Sequence, residues 1–217
     1  MKGFNSWKVG APYFVPLLVL AVLVQVGALR LGFAWASIPF WAAFLFTLNF
    51  FRDPPRRISQ EADIIVSPAD GKVDAIEDLE DCAYFEGPCT CVSIFLNVFN
   101  VHVNRMPDDA TVTKIEYREG EFRNAMDPES RQINESNTLL LETPHGPMAV
   151  RQISGAIARR IVCVTEPGKQ LTKGEKFGMI KFGSRTEMYF AQGAEILVRT
   201  GQNVKGGSTD IARMPAQ

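Results

Sequence analysis

Ser208 begins the last ten residues of this 217-residue chain and follows two glycines, in the segment Gly206-Gly207-Ser208-Thr209. Its hydroxyl can attack the carbonyl of Gly207, which has no side chain to shield it, and so exchange the backbone amide for an ester. Elimination from that ester, followed by hydrolysis, would leave a pyruvoyl group at position 208. A flexible tail is the alternative, since Gly-Ser pairs are common and Gly183-Ser184 is another.

His102 is one of two histidines in the chain, and it stands at the end of an apolar segment, three positions before Arg105. Near neutral pH an imidazole can take a proton from a serine hydroxyl or deliver one to a carbanion. A histidine that is hydrogen-bonded within the core is the alternative. His145 lies between two prolines and is interpreted as an exposed residue of a hairpin turn.

Asp70 lies in the segment Ser67-Pro68-Ala69-Asp70-Gly71, which has the composition of a β-turn. The functional alternative is a carboxylate that orients His102 and stabilises its imidazolium form, as in a Ser-His-Asp arrangement. Separation in sequence does not decide between these two interpretations.

The cysteines show no pattern of metal ligands. Cys89 and Cys91 have neither a second pair nor a histidine at zinc spacing, and Cys82 and Cys163 stand apart from them. We interpret all four as reduced residues of strands or loops. No phosphate-binding glycine loop is present either, so neither a metal nor a nucleotide is expected.

The elements that must position these residues are predicted to be short β-strands. Segments rich in β-branched and aromatic residues alternate with glycine, proline and asparagine at intervals near ten residues, which favours a mainly β fold with an antiparallel sandwich-like or barrel-like domain. The polar stretch from Glu121 to Asn137 is predicted to be a long mobile loop. The predicted strands are Ile64–Val66, Lys72–Ile76, Cys91–Leu96, Val112–Tyr117, Thr138–Glu142, Met148–Ile153, Arg160–Val164, Phe177–Lys181, Glu187–Phe190 and Glu195–Val198.

Two uncharged runs, Pro12–Leu29 and Leu31–Phe51, precede this domain. Helices of these lengths approach the ~30 Å thickness of bilayer hydrocarbon, and their few polar residues argue against a pair of core helices. A cleaved signal peptide is the other alternative, but the first run leads directly into the second. We therefore predict a membrane-associated helical hairpin over residues 1–51 and a β-rich domain over residues 52–217. Because the turn between the helices is short, a hairpin that enters the membrane without crossing it is left open.

The basic residues set the expected location of this domain. Lysines precede the hairpin and arginines follow it, which places both ends on the cytoplasmic side of the cell membrane, with Arg30 at the outer turn. The linker Arg52-Asp53-Pro54-Pro55-Arg56-Arg57 is stiff, and its arginines suit an anionic lipid surface. Beyond residue 51 there are 20 basic and 24 acidic residues, a balance that argues against nucleic acid as a partner.

Several of these segments, in this order, resemble the short form of the pyruvoyl-dependent phosphatidylserine decarboxylases, and the resemblance extends from about residue 52 to the end. The hairpin and the Arg-Asp-Pro-Pro-Arg linker are also typical of that form. The matching segments are Ser67–Gly71, Val101–Pro107, Asn134-Glu135, Gly155–Ile161 and Gly206–Thr209.

This resemblance implies that autocatalytic cleavage between Gly207 and Ser208 yields chains 1–207 and 208–217, which stay together as a heterodimer; a higher oligomer is left open. Ser208 would become a covalent pyruvoyl cofactor that forms a Schiff base with phosphatidylserine, releases CO2 and yields phosphatidylethanolamine for phospholipid biosynthesis. His102 would transfer protons, with Asp70 orienting it.

The chain departs from the family pattern at two positions. Gly206 stands where members usually have leucine, and Arg105 stands where longer members have a second histidine. Arg105 is therefore a candidate ligand for the substrate carboxylate or phosphate. Two other functions stay open: an archaetidylserine-type decarboxylase, whose substrate has the same headgroup, and a membrane-tethered β-domain adaptor without catalysis.

Overall fold

The structure is a computed structural model, and it describes residues 4–125, 127, 129–156, 160–181 and 183–215. The chain divides into two compact units, residues 1–54 and 55–217. The first unit is helical, and the second contains the β-strands.

Two apolar helices form the first unit. Helix α1 spans Ser6–Arg30, and a 3-10 turn over Ala34–Ser37 leads into helix α2, Ile38–Phe50. The two helices pack against each other. The hydroxyl of Ser37 donates a 2.5 Å hydrogen bond to Oε1 of Gln25, so two of the hairpin's few polar side chains satisfy each other.

The two helices differ in length. Helix α1 has 25 residues and rises about 38 Å, whereas the 13 residues of α2 rise about 20 Å, less than the ~30 Å of bilayer hydrocarbon. Among the described helices, α1 alone is long and apolar enough to cross a membrane, and α2 is shorter than the second uncharged run suggested. The 3-10 turn shortens that run. The membrane-associated hairpin itself stays a prediction. One apolar helix with exposed side chains such as Leu23 and Leu29 gives weak support for membrane association.

The second unit contains fourteen described strands and one short helix, α3 (Ser130–Ile133). The strands are β1 (Ile64–Val66), β2 (Gly71–Leu79), β3 (Cys89–Leu96), β4 (Val103–Arg105), β5 (Ala110–Arg118), β6 (Ser136–Thr143), β7 (Gly146–Ile153), β8 (Ile161–Cys163), β9 (Gln170–Leu171), β10 (Lys176–Ile180), β11 (Ser184–Ala191), β12 (Glu195–Ile196), β13 (Asn203–Val204) and β14 (Asp210–Arg213).

These strands form three antiparallel sheets. Eight of them pair in the order β13-β2-β3-β11-β7-β6-β5-β9, and two three-stranded sheets have the orders β1-β14-β12 and β4-β10-β8. One buried apolar cluster contains residues from all three, including Ile94 of β3, Phe177 of β10 and Ile211 of β14. The prediction of a mainly β, antiparallel domain is confirmed.

The segment from Glu121 to Asn137 is more ordered than predicted. It contains α3 and the start of β6, and Asn134 is fully buried. The Nδ2 atom of Asn134 donates to the carbonyl oxygens of Arg123, at 2.9 Å, and Ser154, at 2.8 Å. For the described residues the prediction of a mobile loop is wrong, because buried polar contacts order a segment that has no apolar periodicity. Met126 and Pro128 lie outside the described residues.

Candidate active site

The Gly206–Thr209 segment forms a tight turn, not a loose tail. The N–H groups of Ser208 and Thr209 both donate to the carbonyl oxygen of Lys205, each at 3.0 Å. In return, the N–H of Lys205 donates to Oγ1 of Thr209 at 2.9 Å. Both glycines are buried and Ser208 is half-buried. The backbone on either side of the Gly207–Ser208 bond is therefore held in one conformation.

Gly207 requires the absence of a side chain for two reasons. Its φ of 75° lies in the left-handed region that glycine adopts without strain. A Cβ atom at this position would lie 2.9 Å from Cδ of Arg105 and 2.9 Å from Cδ1 of Ile58. The side chains of Arg105 and Ile58 therefore pack closely on Gly207, the residue whose carbonyl Ser208 would attack.

The Ser67–Gly71 segment packs directly on this turn. The carbonyl oxygen of Ser67 accepts the N–H of Gly207 at 2.7 Å, and the N–H of Ser67 donates to the carbonyl oxygen of Thr209 at 2.8 Å. Oδ1 of Asp70 accepts the N–H of Gly206, also at 2.8 Å. The structure therefore brings Asp70 to the predicted cleavage site.

Asp70 also forms a buried ion pair with Arg56. Nη2 of Arg56 lies 2.9 Å from Oδ1 and 2.8 Å from Oδ2 of Asp70, and the two side chains are 8% and 13% exposed. We assigned Arg56 to a lipid surface from its place in the basic linker, and that interpretation is wrong. A count of charges along the linker could not show that one arginine turns inward to meet a carboxylate fourteen positions away.

Arg105 lies against the same turn. Its backbone N–H donates to the carbonyl oxygen of Pro68 at 2.9 Å, and its Nη1 donates to the carbonyl oxygen of Gly174 at 3.1 Å. The side chain is buried, and its Cδ approaches Gly207 as described above. The structure thus places a guanidinium side chain beside the Gly207–Ser208 bond.

His102 directly precedes strand β4, at the end opposite Arg105, and is fully buried. Its Nδ1 lies 3.0 Å from the carbonyl oxygen of Asn100, and its Nε2 accepts the N–H of Gly183 at 3.4 Å. This pattern requires the proton on Nδ1, as in a neutral imidazole. The ring nitrogens contact backbone atoms, whereas the Asp70 carboxylate contacts Arg56 and Gly206, and orientation of His102 by Asp70 stays a prediction.

Comparison with known protein families identifies the family of this chain. The family model described as phosphatidylserine decarboxylase matches residues 43–212, a range that contains Asp70, His102, Arg105 and Ser208. The chain belongs to the phosphatidylserine decarboxylase family.

Relatives extend the match over nearly the whole chain. A protein named phosphatidylserine decarboxylase proenzyme from Aromatoleum aromaticum is 42% identical over 207 residues, which cover 95% of this chain and 94% of that protein. Proteins of the same name are 42% identical in Magnetococcus marinus, over 90% of this chain and 91% of that protein, and 40% identical in Ralstonia pickettii, over 94% of each. These matches confirm the resemblance drawn from the sequence and the expectation of a decarboxylase.

Two further segments that carried the family resemblance meet near His102. The N–H of Ser154 donates to the carbonyl oxygen of Glu135 at 2.9 Å, beside the buried Asn134. A Cβ atom at Gly155 would lie within van der Waals overlap of the carbonyl oxygen of Gly183, whose N–H contacts His102. The positions Ile157, Ala158 and Arg159 of this segment lie outside the described residues.

An apolar cavity of about 320 Å³ opens at Gly183. Phe95, Val98, Ala125 and Ala156 are among the residues that line it. The cavity therefore presents apolar surface next to the residue whose backbone N–H contacts His102.

His145 is not the exposed turn residue that the sequence suggested. Its side chain is 13% exposed, and Nδ1 lies 2.7 Å from Oδ2 of the buried Asp108. Nζ of Lys173 lies 3.6 Å from the other oxygen of the same carboxylate. The flanking prolines correctly indicated a hairpin turn, but the partner of the imidazole comes from a distant segment.

The four cysteines are free thiols, and three have a raised pKa. Burial raises the pKa of Cys91 above its ordinary value, and burial beside Cys82 raises the pKa of Cys89 to about 12. Burial also raises the pKa of Cys163. A thiol of raised pKa holds little thiolate near neutral pH, so these three are poor nucleophiles.

Proposed function

We propose that this chain is a membrane-associated phosphatidylserine decarboxylase that cleaves itself between Gly207 and Ser208 and so makes its own pyruvoyl cofactor. One observation carries the proposal: the Gly207–Ser208 bond lies in a turn fixed on both sides by hydrogen bonds, with Asp70 and Arg105 against it. The relatives' printed name supports it, since a proenzyme is a precursor that must be processed.

The cleavage needs no external oxidant or reductant. The Oγ of Ser208 attacks the carbonyl carbon of Gly207, the C–N bond breaks, and an ester and a free amine form. Loss of the Cα proton then expels the Gly207 carboxylate and leaves dehydroalanine at position 208. Its enamine tautomerises to an imine, and water releases ammonia and leaves the ketone of the pyruvoyl group.

Asp70 and Arg105 are suited to different parts of this process. The Asp70 carboxylate holds the N–H of Gly206 and so keeps the peptide before the reacting bond in place. The Arg105 side chain is a donor beside the position of the new ketone and is suited to bind the carboxylate or phosphate of a serine lipid. Arg105 thus supplies positive charge where longer members of the family have a histidine.

His102 is the candidate for proton transfer during turnover. Its imidazole is neutral and buried, with Nε2 held by a long, 3.4 Å bond from Gly183, which substrate can replace. The apolar cavity at Gly183 is suited to the glycerol or acyl part of a lipid.

When present, the pyruvoyl group supplies the electrophilic ketone that bonds the substrate amine and accepts the electron pair left by CO2. The product is phosphatidylethanolamine. The apolar hairpin is suited to hold the domain at the cell membrane where the lipid resides, and the basic residues on either side of it favour the cytoplasmic face.

Intact mass of the purified protein tests self-cleavage. We expect two chains, residues 1–207 and 208–217, with the second carrying a group that reacts with hydroxylamine. Ser208→Ala should remain a single chain, and Ser208→Cys should cleave slowly because a thiol can make the same acyl shift. Ser184→Ala is the matched control, since it alters the other Gly-Ser pair and should cleave normally.

An intact wild-type chain without a reactive carbonyl would instead favour the adaptor. A comparison of the rates of CO2 release from phosphatidylserine and from archaetidylserine identifies which lipid tail the enzyme accepts.

A further inference from the structure

Arg56 lies in the irregular segment between the two linker prolines and strand β1, yet its side chain reaches the candidate active site. A single nitrogen, Nη2, contacts both oxygens of Asp70, at 2.9 and 2.8 Å. This contact restrains the rotation of the carboxylate. Oδ1 is thereby aimed at the N–H of Gly206, 2.8 Å away.

This ion pair is a poor source of stability. Both side chains are largely buried, and the attraction between buried charges seldom exceeds the free energy lost when water is removed from them. In addition, Nε of Arg56 is buried and has no hydrogen-bond partner among the described residues. An unsatisfied buried donor is unfavourable by about 1–3 kcal/mol. Apolar side chains in place of both charged residues would avoid these losses, so stability alone does not account for the pair.

The neighbouring residue Ile58 holds the same turn from another side. Its Cδ1 would lie 2.9 Å from a Cβ at Gly207 and 2.5 Å from a Cβ at Gly174. The segment after the linker prolines therefore contacts the residues before the reacting bond at two points: Arg56 through Asp70, and Ile58 directly.

We propose that Arg56 is a positioning residue for self-cleavage: it fixes the Asp70 carboxylate on the N–H of Gly206 and so holds the Gly207 carbonyl within reach of Ser208. This inference rests on the proposed function. Small displacements of reacting groups change rates strongly, so loss of this contact should slow cleavage even in protein that remains folded.

The test compares Arg56→Met, Arg56→Lys and Arg57→Met in the full chain. Arg57 is the adjacent exposed arginine and serves as the matched control. Cleavage is followed by gel after cell-free synthesis in a neutral detergent, so that contacts of the linker arginines with anionic lipid do not enter the comparison. Melting is measured in a Ser208→Ala background, where no variant can cleave.

We expect Arg56→Met to cleave about tenfold more slowly or worse, with Arg56→Lys intermediate and Arg57→Met unchanged. Arg56→Met leaves the buried Asp70 carboxylate without its counter-charge and should melt below its Ser208→Ala parent, so cleavage is compared at a temperature at which that variant is still folded. The double variant Arg56→Met/Asp70→Asn should be no slower than Asp70→Asn alone, because both changes act on one contact. If Arg56→Met fails to fold, Arg56→Lys decides: normal melting with slowed cleavage supports the proposal.

Normal cleavage by folded Arg56→Met or Arg56→Lys would overturn the proposal, as would rate losses that multiply in the double variant. A wild-type chain that stays intact refutes self-cleavage itself. A wild-type chain that cleaves, together with variants that cleave equally fast, refutes only the role of Arg56.

Discussion

The carboxylate of Asp70 accepts the backbone N–H of Gly206 at 2.8 Å, across 136 positions of sequence. Strand β14 follows the Gly206–Thr209 turn and pairs with β1, which directly precedes the Ser67–Gly71 segment. The same antiparallel pairing that closes this sheet therefore brings the carboxylate to the turn.

Replacing one member of the Asp70–Arg56 pair should destabilise the protein more than replacing both members. In a Ser208→Ala background, Asp70→Asn leaves the buried Arg56 cation without its counter-charge, and we expect a loss of about 3 kcal/mol in the free energy of unfolding. The double variant Arg56→Met/Asp70→Asn should regain most of it, because no buried charge remains. Urea denaturation measures both, and a double variant less stable than Asp70→Asn would contradict this expectation.

Gly207→Ala should impair both folding and cleavage. Alanine at a φ of 75° adds about 1–2 kcal/mol of backbone strain, and its Cβ would meet Arg105 and Ile58 at 2.9 Å. Gly146→Ala is the matched control, since its φ of 99° brings similar strain but no heavy atom lies within 4 Å of the added Cβ. We expect Gly146→Ala to cleave at the wild-type rate. Equal cleavage by the two variants would show that packing at Gly207 is unimportant.

The ten-residue fragment that begins at Ser208 should remain bound after cleavage. Strand β14 is the central strand of a three-stranded sheet, and Ile211 is fully buried in the core. In size-exclusion chromatography the two chains should elute together in native buffer and separately in urea. In a Ser208→Ala background, Ile211→Ala should reduce stability by about 2–5 kcal/mol.

Arg213→Ala is the control on the same strand. Its pairs with Glu61 and Asp63 are exposed, so the loss should stay below about 1 kcal/mol. Dissociation of the fragment in native buffer would contradict the role assigned to β14.

Substitution of His102 should affect catalysis, whereas substitution of His145 should affect stability. His102→Ala should lose cleavage or CO2 release, because its buried imidazole is the candidate proton carrier. His145→Ala removes one of the two charged or ionisable partners of Asp108 and should lower the melting temperature, while the remaining protein still cleaves. Gel analysis, CO2 release and thermal melting are measured on both. Wild-type rates for His102→Ala in both assays would remove it from the mechanism.

The buried thiols should be slow to alkylate and should weaken the fold at high pH. At about pH 8 the raised pKa values of Cys89 and Cys91 leave less thiolate than in the unfolded chain, so iodoacetamide should modify them only after urea is added. A raised folded-state pKa contributes stability that is complete below the unfolded value of 9.0 and declines as pH rises toward about 12 for Cys89.

Urea midpoints at about pH 8 and about pH 10.5 measure this decline. Cys89→Ala should lose less stability than the wild type between the two conditions. Rapid alkylation of the native protein, or an equal decline in both proteins, would contradict the assignment.

Local patterns in the sequence were enough to predict most of the β-domain. Strand β1 was predicted at its observed bounds, and the longer strands within one to three residues at each end, because β-branched and aromatic runs define strands locally. Strands β4, β9, β13 and β14 were not predicted, because each has four residues or fewer and lies in a segment without a long β-branched or aromatic run. Their pairing with distant strands, not their own composition, makes them strands.

The sequence by itself determined the family and the mainly β architecture and indicated Gly207–Ser208 as the candidate cleavage site, since each depends on residue types and local spacing. Tertiary structure alone decided which side chains meet: Asp70 contacts Arg56 and Gly206, whereas His102 contacts backbone atoms near Gly183. Such contacts depend on strand register and chain reversal over more than a hundred residues. A hydrogen bond or ion pair forms only at short range, so the partner of each side chain is determined by which strands pair and in which register.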